Sequence, residues 1–130
     1  ASELSGVSTS YDGIATWARV AGNPKAFARI VSQPGAVHVE DIFSGGLPAG
    51  SGSTILAEGL KTAGIRSGQT LVFKGILNVE TLATHEAGGA AADSLLGRLG
   101  SKALGKLGFE AGGMEFQICR GKLDLSIEVK

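Results

Sequence analysis

The sequence predicts an α+β domain in which N-terminal helices pack on a small, mostly antiparallel sheet that ends in a C-terminal β-hairpin. Three observations carry this. Met114, Phe116 and Ile118, then Leu123, Leu125, Ile127 and Val129, alternate with polar residues on either side of Arg120-Gly121. That two-residue period belongs to paired strands with one apolar face. Leu96, Leu99, Ala103 and Leu107 recur every three or four positions, as on an amphipathic helix. Helical patterns come before the terminal strand pair, the order of an α+β rather than an alternating fold.

The 130 residues suffice for one domain and not for two. Residues 1–13, rich in Ser and Gly, read as a flexible lead, and residues 14–130 as the domain. Residues 16–21 fit a short helix with Trp17 and Val20 on one face. Asn23 then reads as a cap and Pro24 as the first turn of a second helix, with Ala26, Phe27, Ile30 and Val31 buried. Lys25 and Arg29 lie outside, and Trp17 and Phe27 are expected to anchor the core. Pro34-Gly35 stops this helix. Val37-His38-Val39 suits a strand or a loop. A helix is expected over residues 53–63, burying Ile55, Leu56 and Leu60 and closing at Gly64. Residues 69–74 read as a strand with Leu71 and Phe73 on one face. Asn78 caps a helix over residues 79–87, and a longer helix covers residues 90–107. There Gly97, Gly100 and Gly105 each cost about 1 kcal/mol relative to Ala, which makes sense where another element packs very close.

Lys plus Arg and Asp plus Glu number 12 each, so the chain lacks the basic excess that advertises nucleic-acid binding. The single cysteine, Cys119, forms no intrachain disulfide. No apolar run approaches the ~20 residues of a membrane span. No basic segment leads into an apolar one at the start, so no signal peptide is expected. The domain then works where it is made or belongs to a longer chain.

Chemistry concentrates between residues 37 and 64. The loop before the third expected helix, with Ser51, Gly52, Ser53 and Thr54, offers backbone N–H groups and hydroxyls at a helix N-terminus, where a phosphate settles readily. It is neither a Walker loop nor a GxGxxG fingerprint, and a plain helix cap is the competing reading. His38 and His85 are the two histidines, the residue type suited to acid–base chemistry near neutrality. His38 lies beside Glu40 and Asp41, which in an extended segment point to opposite sides. Glu128-Val129-Lys130, with Asp124, echoes the E-x-K pattern of metal-dependent nucleases. Arg98, Lys102 and Lys106 form a basic stripe that either faces solvent or follows a nucleic-acid backbone.

The layout, taken with the SGGLPAGSGSTILAEGLK block, resembles the C-terminal toxin domains of bacterial polymorphic toxins of the Rhs and contact-dependent growth inhibition type, over about residues 37–130. The resemblance implies a tip domain, secreted or cell-surface-delivered on a larger carrier, that acts in the target-cell cytoplasm and is blocked by a cognate immunity protein. It most often implies a nuclease. Many such toxins share the barnase–EndoU–colicin–RelE layout, which cleaves RNA with neither metal nor cofactor. The expectation is therefore a metal-independent ribonuclease, with tRNA as a candidate substrate. His38 would be the acid/base, oriented by Asp41 or Glu40. Lys74 or Arg120 would offset phosphoryl charge, and Ser51, Gly52, Ser53 and Thr54 would hold phosphate. The alternatives are a metal-dependent DNase using Asp124, Glu128 and Lys130, and a non-enzymatic binding or immunity-type module. The ribonuclease requires His38 and the helix mouth to face one pocket.

Overall fold

Residues 16–33, expected to be helical, are strands. In the computed structural model, which describes residues 6–130, the chain starts as a four-stranded meander: β1 (Val7–Tyr11), β2 (Thr16–Val20), β3 (Asn23–Gln33) and β4 (Ala36–Ser44). Then come α1 (Ser51–Ala63), β5 (Thr70–Phe73), α2 (Val79–Glu86), a 3-10 turn (Ala91–Asp93), α3 (Leu95–Lys106), β6 (Ala111–Cys119) and β7 (Lys122–Val129). The 7-stranded sheet runs β1-β2-β3-β4-β5-β7-β6. Every pair is antiparallel except β4–β5, which α1 connects as a crossover.

The α+β class is therefore present, with the C-terminal hairpin in place, but the helices are not N-terminal. The error has a physical source. Ala26, Phe27, Ile30 and Val31 satisfy a helical period, yet Ala26, Ala28 and Ile30 also alternate, and these are the residues fully buried. Asn23 caps nothing. Its Nδ2 donates to Gly45 O at 3.2 Å and its Oδ1 accepts from Lys25 N at 3.2 Å, tying the ends of β3 and β4 together. Gly45 is needed there, because a Cβ would meet Ala26 N at 2.8 Å. The expected lead is also partly sheet, since Val7–Tyr11 pairs with Val20–Thr16 of β2. Residues 1–5 lie outside the described residues.

Both long helices cover one face of the sheet. α1 packs on β2, β3 and β4, and α3 on β6 and β7. The core between them comprises Ile30, Val37, Val39, Ile55, Leu56, Leu60, Leu71, Phe73, Leu104, Leu125 and Ile127. Gly100 explains the predicted close approach: a Cβ would stand 2.5 Å from Ile127 Cδ1 and 3.1 Å from Phe73 Cε2. Asn78 caps α2 as expected, its Oδ1 accepting from Thr81 N at 2.9 Å. The helix expected over residues 90–107 divides at Ser94, whose Oγ accepts from Gly97 N at 3.1 Å as the cap of α3. Arg120 (φ 52) and Gly121 (φ 76) form the left-handed pair of a tight hairpin turn.

Among the described residues the other face carries no helix. Trp17, Phe27 and Arg29 lie there, opposite the buried Ala18, Ala28 and Ile30, so Trp17 and Phe27 do not anchor the core. A bulge interrupts β4: Arg29 pairs with Asp41 and Ile30 with Val39, leaving Glu40 as the extra residue. Glu40 Oε1 lies 3.9 Å from Arg29 Nη1. The bulge thus brings Glu40 and Asp41 to the same side instead of opposite sides.

Candidate functional site

The site is built where the two parallel strands part. β4 and β5 pair from Ala36 and Thr70 to Val39 and Phe73. Beyond that point β4 runs on to Ser44 against β3 alone. β5 is drawn the other way by Asp124 of β7. The carboxylate accepts from Lys74 Nζ at 2.8 Å and from Gly75 N at 2.9 Å, and Ile76 N donates to Leu123 O at 2.8 Å. Gly75 supplies the positive φ of 57° that the change of direction needs. Asp124 is only 4% exposed. Its hydrogen bond pushes the Lys74 ammonium above the ordinary lysine value, so the lysine stays charged.

The parting leaves a crevice of about 590 Å³, within the range of small-molecule sites. It lies beyond the carboxyl ends of the two parallel strands, β4 and β5. Val39, Ile42, Phe73, Ile76 and Leu99 give it apolar walls. Glu40, Asp41, Phe43 and Lys74 line it from the open face of the sheet, while Gly52, Ser53, Arg98 and Lys102 line it from the helical side.

The N-terminus of α1 opens into this space. Gly50 caps it with φ 90°, no side chain caps it, and no acidic residue occupies its first turn. Ser51 N donates to Pro48 O at 3.1 Å and Thr54 N to Gly50 O at 3.4 Å. The amides of Gly52 and Ser53 have no acceptor among the described residues. Ser53 Oγ turns back to Gly50 O at 2.8 Å, and Thr54 Oγ1 reaches the same carbonyl at 3.5 Å. Of the amides and hydroxyls the sequence offered to an anion, the Gly52 and Ser53 amides are free, whereas the Ser53 and Thr54 hydroxyls are turned to Gly50 O. A Cβ on Gly52 would stand 3.2 Å from Leu99 Cδ1, so the helix mouth leans on α3 and faces the turn that carries Arg98 and Lys102. These two cations and the positive end of α1 make one pole of the crevice strongly attractive to an anion.

Of the predicted site residues, the crevice gathers Asp41, Lys74, Gly52 and Ser53. It does not gather His38. That residue pairs with Val31 and Val72 and alternates with the buried Val37 and Val39, so its ring lies on the open face, away from α1. The imidazole and the helix mouth do not share a pocket. Arg120 sits exposed in the β6–β7 turn, and Ser51 and Thr54 lie outside the lining. His85 packs edge-on against Phe116, ring centroids 5.0 Å apart. In the alternative acidic set, Asp124 is engaged by Lys74 and Gly75. Glu128 is exposed four residues along the strand, about 13 Å away at the rise of an extended chain. Among the described residues no group of three or more His, Cys, Asp or Glu could hold a metal ion.

Arg98 and Lys102 are the residues whose place the sequence left open between solvent and ligand. Their four-residue spacing was visible, but only the packing of α1 on α3 turns them toward a crevice. No protein-family model, curated protein sequence or solved structure matches the chain. Among the described residues no helix is long and apolar enough to cross a membrane.

Proposed function

We propose that the crevice binds a phosphate-bearing group donor and that the protein is a transferase. One observation carries the reading: the uncapped Gly50-Ser51-Gly52 mouth of α1 opens into the parting of β4 and β5 beside Arg98 and Lys102. A phosphate there would accept from the Gly52 and Ser53 amides. From that pole the apolar walls run to the open face. Along them lies the edge of β4 that β5 has left, whose alternate backbone groups suit an extended ligand carrying secondary amides. A phosphopantetheine-type acyl donor has this chemistry: a phosphate head, an arm with amides, and a thioester at the far end. Its reactive end would emerge between Glu40, Asp41 and Lys74. There a carboxylate takes the proton of an acceptor hydroxyl or amine as the new acyl bond forms and the thiolate leaves.

The test is calorimetric titration of the purified protein with coenzyme A, ADP and inorganic phosphate. Micromolar binding of coenzyme A, weakened at least tenfold by Arg98→Glu with Lys102→Glu, supports the reading. No binding of any of the three below the millimolar range overturns it.

A second reading, a ribonuclease toxin in which Asp41 rather than the distant His38 would be the base, is favoured by the meeting of Asp41, Lys74, Gly52 and Ser53 in one crevice. An RNA phosphate held by the amides would then lie in the same crevice as a carboxylate and an ammonium. Carrier delivery, action in the target-cell cytoplasm and a cognate immunity protein belong to this reading. Expression in a bacterium separates the two. Growth arrest with tRNA fragments, abolished by Asp41→Asn, supports the nuclease, whereas intact RNA removes it.

A further inference from the structure

We propose that the open face of the sheet over β2, β3 and β4 is a platform for single-stranded nucleic acid, whose bases stack on Trp17, Phe27 and Phe43. The proposal goes beyond the crevice, which the strip meets at Phe43, and does not depend on what the crevice binds.

The three rings form a continuous strip across three strands. Trp17 and Phe27 have centroids 5.7 Å apart, and Phe27 and Phe43 5.4 Å apart. Among the described residues no helix covers them; Trp17 and Phe27 are half-buried and Phe43 is 47% exposed. With aromatic residues only 5% of the chain, placing three together on an uncovered face calls for an occupant with flat apolar surfaces. The charge on the strip defines that occupant further. Arg19 Cζ lies 4.4 Å from the Trp17 ring centre and Arg29 Cζ 5.7 Å from it. Lys25 alternates with the buried Ala26 on β3 and so shares the face of Phe27 and Arg29.

The nearby carboxylates are largely spoken for. Asp12 accepts from Trp17 Nε1 at 2.8 Å and from the amides of Ile14 and Ala15, and Glu40 pairs with Arg29. Asp41 stands across from Arg29 on β4, where the strip meets the crevice. The chain is neutral overall, yet this strip presents guanidinium and ammonium groups beside two half-buried rings and one exposed ring. Stacking surfaces flanked by cations are the recognition chemistry of single strands, whose bases offer π-faces and whose backbone offers phosphates. Duplexes offer no free base faces.

Trp17 is the only tryptophan, so its emission reports the strip directly. The full chain is titrated with oligouridylate and oligoadenylate of about twelve nucleotides, and with inorganic polyphosphate as the probe without bases. Expected is saturable quenching by the oligonucleotides and not by polyphosphate. The affinity should fall with salt along a logarithmic slope of about −2 if three cations meet phosphates. Phe27→Leu, which keeps an apolar side chain and removes the ring, should weaken binding about 5- to 100-fold. Arg19→Gln should flatten the salt slope. Far-UV circular dichroism establishes that each variant is folded, and a misfolded Phe27→Leu passes the test to Arg19→Gln. The crevice variant Arg98→Glu with Lys102→Glu should bind oligonucleotides as well as the parent. Absence of saturable quenching, equal binding of polyphosphate, or loss of binding in the crevice variant would each overturn the platform. The last result would place the nucleic acid in the crevice instead.

Discussion

Replacing Asp124 with Ala removes the group that pulls β5 away from β4, and the cost can be worked from its contacts. The carboxylate accepts a bond from a charged donor, Lys74 Nζ at 2.8 Å, and one from a neutral donor, Gly75 N at 2.9 Å. The first is worth about 1.5–3 kcal/mol and the second about 1 kcal/mol. The Lys74 side chain is 32% exposed against 6% for Asp124, so solvent recovers part of what the lysine loses. A net destabilisation of about 2–3 kcal/mol is expected. Asp124→Asn keeps an acceptor for Gly75 and gives up the charge, and should cost about half as much. Urea unfolding followed by Trp17 emission measures both, with the midpoint shifting and the slope unchanged. Alkaline pH supplies an independent check. The bond to Asp124 raises Lys74 above its ordinary value of 10.5, so its contribution is fully present below that value and is lost as pH rises through the higher folded value. The parent should lose stability in that window and Asp124→Ala should not. An Asp124→Ala protein within about 0.5 kcal/mol of the parent, or an Asn variant as damaged as the Ala one, would refute the reasoning.

Other positions test other links. Gly100→Ala should destabilise by about 1–2 kcal/mol in urea, because overpacking against Ile127 and Phe73 outweighs the gain in helix propensity. Gly105→Ala, which meets nothing within 4 Å, should instead stabilise by up to about 1 kcal/mol. Asn78→Ala should cost about 1–2 kcal/mol, since it removes the cap of α2 and the acceptor of the buried Thr81 hydroxyl. Hydrogen exchange should then show the amides of α2 losing protection first. Asp12 is held down to about 2 from its ordinary 3.8 by its bonds to the Ala15 amide, the Trp17 indole and the Ile14 amide. Its contribution is present above 3.8 and lost as pH falls through about 2. Trp17 emission should change over that window in the parent and stay flat in Asp12→Asn.

What the sequence disclosed follows how local each signal is. The hairpin of β6 and β7, the caps at Asn78 and the helix after the Gly/Ser loop are set by neighbours in sequence, and each forms as read. β2 and β3 misled because alternation and helical period overlap where alanines are frequent. Ala26, Ala28 and Ile30 bury as a strand face, while Phe27 and Val31 complete an equally acceptable helical stripe. Asn23-Pro24 then added a false helix start, when the Asn23 amide in fact serves Gly45 across 22 residues. The site divides in the same way. The open mouth of α1 was legible because a helix N-terminus is local. The separation of His38 from that mouth was not, because it depends on which face of β4 the helix covers. Arg98 and Lys102 became site residues only through α3 packing beside α1, about 45 positions from the loop they face.

The parting of β4 and β5 is itself an argument for a ligand. A sheet gains by pairing its strands to their ends, and residues 40–44 of β4 give up that pairing on one side within the body of the molecule. Backbone groups on such an edge must bond to solvent or to something that enters. Several features maintain the opening: the bulge at Glu40, the left-handed turn at Gly75, and a buried carboxylate set on β7 to hold Gly75 aside. Closing the strands would need only a longer β5. Instead the chain places a free helix N-terminus and two cations at one end of the gap, and a pair of acids with a lysine at the other. Groups of opposite sign at the two ends of one apolar passage suit a ligand that enters by an anionic head and reacts at its tail. If that is their purpose, Asp124→Ala should weaken coenzyme A binding even where the protein remains folded, while leaving oligonucleotide quenching of Trp17 intact.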